Sequence, residues 1–177
     1  MCFPGGVMRS TLLAEPFATA RLDLLPLRVD HAAEMAVVLG DPALHTFIGG
    51  APDPPEALRA RYERLVAGSP DPSVTWCNWV LRVRDADRLA GTVQATVTGG
   101  HHAEIAWVVG TSWQGRGLAS EAAAGLVARL RAHGVRTIVA HIHPGHHASA
   151  AVARSAGLAA TAERQDGEVR WRAAVAP

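Results

Sequence analysis

The stretch from Ala103 to Leu130, AEIAWVVGTSWQGRGLASEAAAGLVARL, constrains the fold more than any other part of the chain. Ile105, Trp107 and Val109 alternate with Glu104, Ala106 and Val108, the period of a strand with two distinct faces. Gly110 ends that pattern. From Leu118 two staggered rows, Leu118/Ala122/Leu126/Leu130 and Ala119/Ala123/Val127, form one apolar stripe at helical spacing. Between strand and helix, Gly115 and Gly117 leave the backbone of the turn uncovered. A helix that begins at such a turn offers unpaired N–H groups and the positive end of its dipole, which together hold a phosphate without a lysine. The stretch is a strand, a glycine-rich turn and a helix, with an anion site at the turn.

Composition limits what surrounds it. With 177 residues the chain suits one domain, expected over 18–177 after a flexible tail at 1–17. No apolar run approaches the roughly 18 residues of a membrane span, and MCFPGGVMRS lacks the charged start and apolar block of a secretory signal. Met8 offers an alternative start. Cys2 and Cys77 give neither a disulfide framework nor a thiolate metal cage, so a reducing cytoplasm is expected. The net charge of +1, with both signs interspersed, gives no footprint for nucleic acid. All 17 basic side chains are arginine, a coding bias rather than a device.

In chain order, Ala20 to Leu27 suggests a first strand. Asp30 is placed to cap a helix running to about Leu39, stopped by Gly40-Asp41-Pro42. A Gly/Pro-rich loop leads to a second helix from Pro55 to Ala67. Thr75 to Val83 and Leu89 to Thr98 pattern as an antiparallel hairpin, which continues into the strand at Ala103. Beyond the central helix, Val135 to Ile142 forms a buried-type strand, Ala148 to Ala156 a short helix and Glu168 to Val175 the last strand. Several strands before a crossover helix, and another after it, make a mixed α/β (α+β) domain without internal repeats.

Among phosphate motifs, Gly115-Arg116-Gly117-Leu118-Ala119-Ser120 lacks the third glycine of a dinucleotide fingerprint and the acidic residue expected roughly 20 positions later. A lysine-free chain also excludes the nucleoside-triphosphate loop. What remains, Gln114-Gly115-Arg116-Gly117-Leu118-Ala119 between a strand and a helix, resembles the GNAT family of N-acetyltransferases, particularly its ribosomal-protein alanine acetyltransferase branch. The family's Q/R-x-x-G-x-G/A pattern falls on Gln114, Gly117 and Ala119, continued by Ser120-Glu121-Ala122. Thr19 to Leu22, Gly91, Glu104 to Trp107 and Pro144 to Ser149 with Gly157-Leu158 match further landmarks in order, so the resemblance spans about Thr19 to Trp171.

The resemblance implies a mainly antiparallel sheet flanked by helices, with the family's fourth and fifth strands splayed around acetyl-CoA. It implies a pyrophosphate held by Gly115, Arg116, Gly117, Leu118, Ala119 and Ser120 next to Gln114, and a pantetheine arm along Trp107, Val108 and Val109. Glu104 matches a frequently catalytic glutamate and is the candidate base. Where many relatives carry a tyrosine four residues before Gly157, this chain has Ala153, and its only tyrosine, Tyr62, lies in the second helix. The branch's asparagine and serine fall on His146 and Ser149. Ser149 is the candidate donor to the departing thiolate, and His146 a candidate for water or the pantetheine arm.

The histidines at 141, 143, 146 and 147 invite a metal, but no cysteine accompanies them and the family match already explains the loop, so none is expected. Trp76 or Trp79 is a candidate for lining an acceptor pocket. The expected activity is direct acetyl transfer to a primary amine, a small molecule or a protein amino terminus, because no cysteine sits in a motif for a covalent intermediate. The alternative is a non-catalytic acyl-CoA-binding module, motivated by Ala153 and His146. Neither nucleic acid nor membrane is an expected partner, and assembly as a homodimer stays open.

Overall fold

The computed structural model describes residues 14–173. Eight strands form one sheet in the order β1-β2-β3-β4-β5-β6-β8-β7. The strands are β1 (Phe17–Ala18), β2 (Leu22–Pro26), β3 (Val74–Val83), β4 (Arg88–Thr98) and β5 (His102–Val109), then β6 (Thr137–Ile142), β7 (Leu158–Gln165) and β8 (Glu168–Ala173). Every pairing is antiparallel except β5 with β6. The helices are α1 (Ala32–Val38), α2 (His45–Ile48), α3 (Pro55–Ala67), α4 (Leu118–Ala132) and α5 (His147–Ser155). This is the mixed, mainly antiparallel architecture that the sequence implies. Among the described residues no helix is long and apolar enough to cross a membrane.

The sheet separates two cores. On one face the helical stripe of α4, with Leu118, Ala122, Leu126 and Leu130 buried, packs against Leu22, Leu81, Ile105 and Ile138. On the other, Met35 of α1 and Leu58 and Tyr62 of α3 close over Leu27, Val80 and Leu89. Alternation along β5 therefore sends Ile105 and Val109 under α4 and leaves Glu104 and Ala106 exposed on the α1/α3 face.

Four local expectations change. Phe17, expected in a tail at 1–17, belongs to β1, and its ring packs edge-on against Trp79 with centroids 5.6 Å apart. Residues 1–13 lie outside the described residues. The first helix opens with a 3-10 turn, Val29–His31, before α1, and Arg28 rather than Asp30 occupies its cap. Asp41 instead accepts the Ala43 N–H at 2.9 Å and starts a second 3-10 turn ahead of the unforeseen α2. β7 has no counterpart among the strands that the sequence suggests. It is an edge strand whose residues are mostly exposed, so no alternation marks it. β8 ends at Ala173, and the expected continuation to Val175 lies outside the described residues.

Candidate active site

The turn into α4 is built as a cradle of amides. Gly115 and Gly117 take φ of +73° and +75°, the left-handed region that glycine enters at no steric cost. Gly117 caps α4 without a side-chain bond, and the first helical hydrogen bond runs from Glu121 N–H to the Gly117 carbonyl. The N–H groups of Leu118, Ala119 and Ser120 precede that bond and find no partner among the described residues. Three donors and a positive helix end thus face one point, which suits a pyrophosphate.

A buckle holds the cradle to the first strands. Glu121 accepts from Thr19 Oγ1 at 2.5 Å and from the Arg21 amide and Nε at 2.7 Å each. Arg21 in turn donates to the Arg116 carbonyl at 2.9 Å. Burial pushes the Glu121 carboxyl up, but the bonds from Thr19 and Arg21 outweigh it and hold it below the ordinary 4.5. Arg116 stacks over Trp113 at 5.0 Å and donates to the Ser112 carbonyl, so its guanidinium stands beside the cradle. Gln114 donates to the Val109 carbonyl at 3.0 Å and fixes the turn to the end of β5.

The parallel pair β5–β6 stays in register only at His102↔Thr137, Ala103↔Ile138 and Glu104↔Val139. Beyond Glu104 the strands part, although β5 runs on to Val109 and β6 to Ile142. The β5 edge at Trp107, Val108 and Val109 therefore borders an open gap, with the cradle at its wide end and Glu104 where pairing stops. A gap edged by strand backbone suits an amide-bearing arm.

Two side-chain pairs span the gap. Glu104, 53 % exposed, is met by His141 Nδ1 from β6 at 3.1 Å. Trp107 Nε1–H donates to Ser149 Oγ at 3.0 Å, leaving the hydroxyl hydrogen free to point elsewhere. Ser149 lies one helical turn before the fully buried Ala153, so it offers a hydroxyl on the same face of α5. His146 caps α5 by accepting the Ser149 N–H, and its ring stacks on Phe47 of α2 at 4.3 Å. Burial, then the neighbouring His143, lowers the His146 pKa and keeps the ring neutral enough to accept. His143 packs on the same Phe47 ring and accepts the Gly145 N–H at 3.1 Å. Among the described residues no group of His, Cys, Asp or Glu is arranged to hold a metal.

A cavity of about 460 Å³ opens on the α1/α3 face, reaching Ala106, Trp107 and Val108 of β5 from beneath α3. Trp79 rather than Trp76 borders it, with its indole N–H bonded to the Glu15 carbonyl. Tyr62 also borders it. Burial pushes its phenol up to about 12, and its oxygen has no partner among the described residues. The sequence offered no sign of the Trp107–Ser149 pair or of Phe47 reaching His146, because these contacts join elements far apart in the chain. His141 was visible as a histidine sharing a strand face with His143, but its partner was not.

A family model described as an acetyltransferase (GNAT) domain matches residues 21–159. No functionally curated protein matches the chain in sequence. Among solved structures, a RimL ribosomal-protein alpha-N-acetyltransferase bound to coenzyme A superposes with a TM-score of 0.75 at 19% identity, over 91% of this chain and 98% of that one. A GNAT-family acetyltransferase from Bacillus anthracis gives 0.72 at 17% identity, over 89% and 95%. A microcin self-immunity acetyltransferase with acetyl-CoA and AMP gives 0.71 at 14% identity, over 88% and 93%. The family model takes in the Arg21–Glu121 buckle, the cradle and the β5–β6 gap together, and on that match the chain belongs to the GNAT acetyltransferase family.

Proposed function

We propose that the protein is an acetyl-CoA-dependent N-acetyltransferase that moves an acetyl group directly to a primary amine, of a small molecule or a protein amino terminus, in a ternary complex. The observation that supports this most is the gap itself. It has an anion cradle at one end and an accessible carboxylate at the other, with the cavity opening beside the strand edge between them. Family membership supports acetyl transfer generally, and the coenzyme-bound neighbours support acetyl-CoA as cosubstrate. The reading places the enzyme in the cytoplasm, with acetyl-CoA.

Each residue then has a task. The Leu118, Ala119 and Ser120 amides bind pyrophosphate oxygens, and Arg116 adds charge. Glu104, oriented by His141, takes the proton from the amine directly or through one water as the C–N bond forms. The C–S bond breaks toward Ser149, whose hydroxyl, polarised by the Trp107 N–H, donates a hydrogen bond to the departing thiolate, which takes its proton from solvent. The second reading, a non-catalytic coenzyme A module, draws on Ala153, which leaves no phenol in the gap.

The test is thermal shift with acetyl-CoA followed by thiol release across an amine panel, on wild type and Glu104→Ala. Acetyl-CoA stabilises both proteins, and the variant loses about 100-fold in kcat with a nearly unchanged KM for acetyl-CoA. An unchanged kcat removes the base assignment. Binding without release from any amine favours the module.

A further inference from the structure

The floor of the 460 Å³ cavity carries two polar side chains that are not committed to other protein groups among the described residues. Asn78, Gln94 and Ala106 are direct cross-strand neighbours on β3, β4 and β5, so two side-chain amides stand next to each other one step from the gap. Neither amide has a hydrogen-bond partner among the described residues. Two adjacent amides supply both donors and acceptors without charge, and match a carboxamide or peptide group better than an ion. Above them the wall is aliphatic, with Leu39, Leu44, Leu58 and Leu65.

Charge on the wall narrows the choice further. Its ionised side chains are Asp53 and Arg61, which face each other at 3.4 Å. His45 is tied to the Gly49 carbonyl at 3.0 Å. Among the described residues the one carboxylate of the wall, Asp53, already faces Arg61, so a second ammonium, which a polyamine or amino sugar would bring into a partly desolvated space, enters at a cost. Ala106 and Glu104 share a strand face two residues apart, roughly 7 Å along the strand. An amine held over Ala106 is within one water of the carboxylate.

Resting on the acetyltransferase reading, we propose that the acceptor is an uncharged-bodied α-amino amide. Its amine faces Glu104, its carboxamide pairs with Asn78 and Gln94, and one aliphatic side chain fills the space beneath α3. A free amino-acid amide and a peptide amino terminus both carry this chemistry.

The experiment measures thiol release from acetyl-CoA with leucinamide, a leucine-initiated tripeptide and spermidine, on wild type and Gln94→Glu. Gln94 is solvent-exposed, so the substitution spares the core. Leucinamide or the tripeptide exceeds spermidine in kcat/KM by at least about tenfold, roughly 1.4 kcal/mol of discrimination. The faster of the two identifies the source. In Gln94→Glu the added carboxylate lowers that ratio by a similar factor by favouring the polycation. Spermidine preferred by wild type, or an unchanged ratio in the variant, overturns the acceptor class and leaves the transferase reading intact. Stabilisation by acetyl-CoA without release from any amine overturns both, and no stabilisation overturns coenzyme binding itself.

Discussion

Gly91→Ala is the perturbation that most directly couples the fold to the cleft. A Cβ at Gly91 falls 2.2 Å from the Val108 carbonyl oxygen and 2.9 Å from Val109 Cα, both backbone atoms of β5. An unstrained carbon–oxygen contact lies near 3.3 Å, so the strands must separate by about 1 Å. β4 is paired with β3 along its length, whereas β5 beyond Glu104 has no strand on its far side. β5 is therefore the element that yields, and it yields where the acyl arm is expected to lie. Overpacking of this kind costs about 1–3 kcal/mol, which lowers Tm by roughly 2–12 °C in a chain of this size. A misplacement of about 1 Å lowers kcat/KM for acetyl-CoA by about 100-fold. Scanning calorimetry and thiol-release kinetics on the purified variant read both numbers. A Tm within about 1 °C of wild type, together with unaltered kinetics, would refute the claim that this close approach sets the position of the β5 edge.

Trp107→Phe removes the donor to Ser149 and lowers kcat about fivefold, the worth of one hydrogen bond. Ser149→Ala lowers it at least as far, and the double variant adds little to Ser149→Ala; fully additive losses would mean that the two act separately. Glu121→Gln replaces the charge that binds Thr19 and Arg21, costs about 1–3 kcal/mol in denaturant titration and raises the KM for acetyl-CoA. Because the Glu121 pKa is depressed in the fold, its stabilisation is present above the ordinary 4.5 and fades as pH falls through the folded value. The variant therefore shows a flatter acid limb of Tm against pH. The His146 pKa is depressed too, so its contribution is present above the ordinary 6.5 and is lost as pH falls through the folded value, when Nδ1 can no longer accept the Ser149 N–H. His146→Asn keeps a capping acceptor and weakens this dependence; an unaltered Tm profile below pH 6.5 would count against it.

The parts legible in the sequence are those written in local order. The β5 alternation and the α4 stripe each depend on residues a few positions apart, and both are found as expected, while the two glycines of the turn prove to be left-handed. β7 escaped because Ala159 to Gln165, on an edge, needs no apolar face toward a core. α2 escaped because a single turn carries too little periodicity to stand out from its Gly/Pro-rich surroundings. The site shows the same division. The glycine-rich turn between β5 and α4 is visible from local spacing, whereas the pairs that complete the gap join positions 37 and 42 residues apart. No spacing rule connects them, since the point at which β5 and β6 part decides which side chains meet.

That parting also leaves the C-terminal strands with little backbone pairing to the rest of the sheet. The segment Thr137–Ala173, carrying β6, α5, β7 and β8, is continuous in the chain and joins the β1–β5 sheet through three backbone-paired positions, the Glu104–His141 and Trp107–Ser149 pairs and the core shared over α4. Such a terminal unit can open as a cooperative piece while the remaining strands keep their partners. A cosubstrate seated in the gap would bridge the two, and at 100 times its Kd contributes about 2.7 kcal/mol. Because the ligand replaces missing strand-to-strand contacts, that stabilisation should be concentrated in the amides of β6 and β8, where hydrogen exchange would slow most. The C-terminal third would then be a reporter of occupancy, closing its exchange as the gap fills.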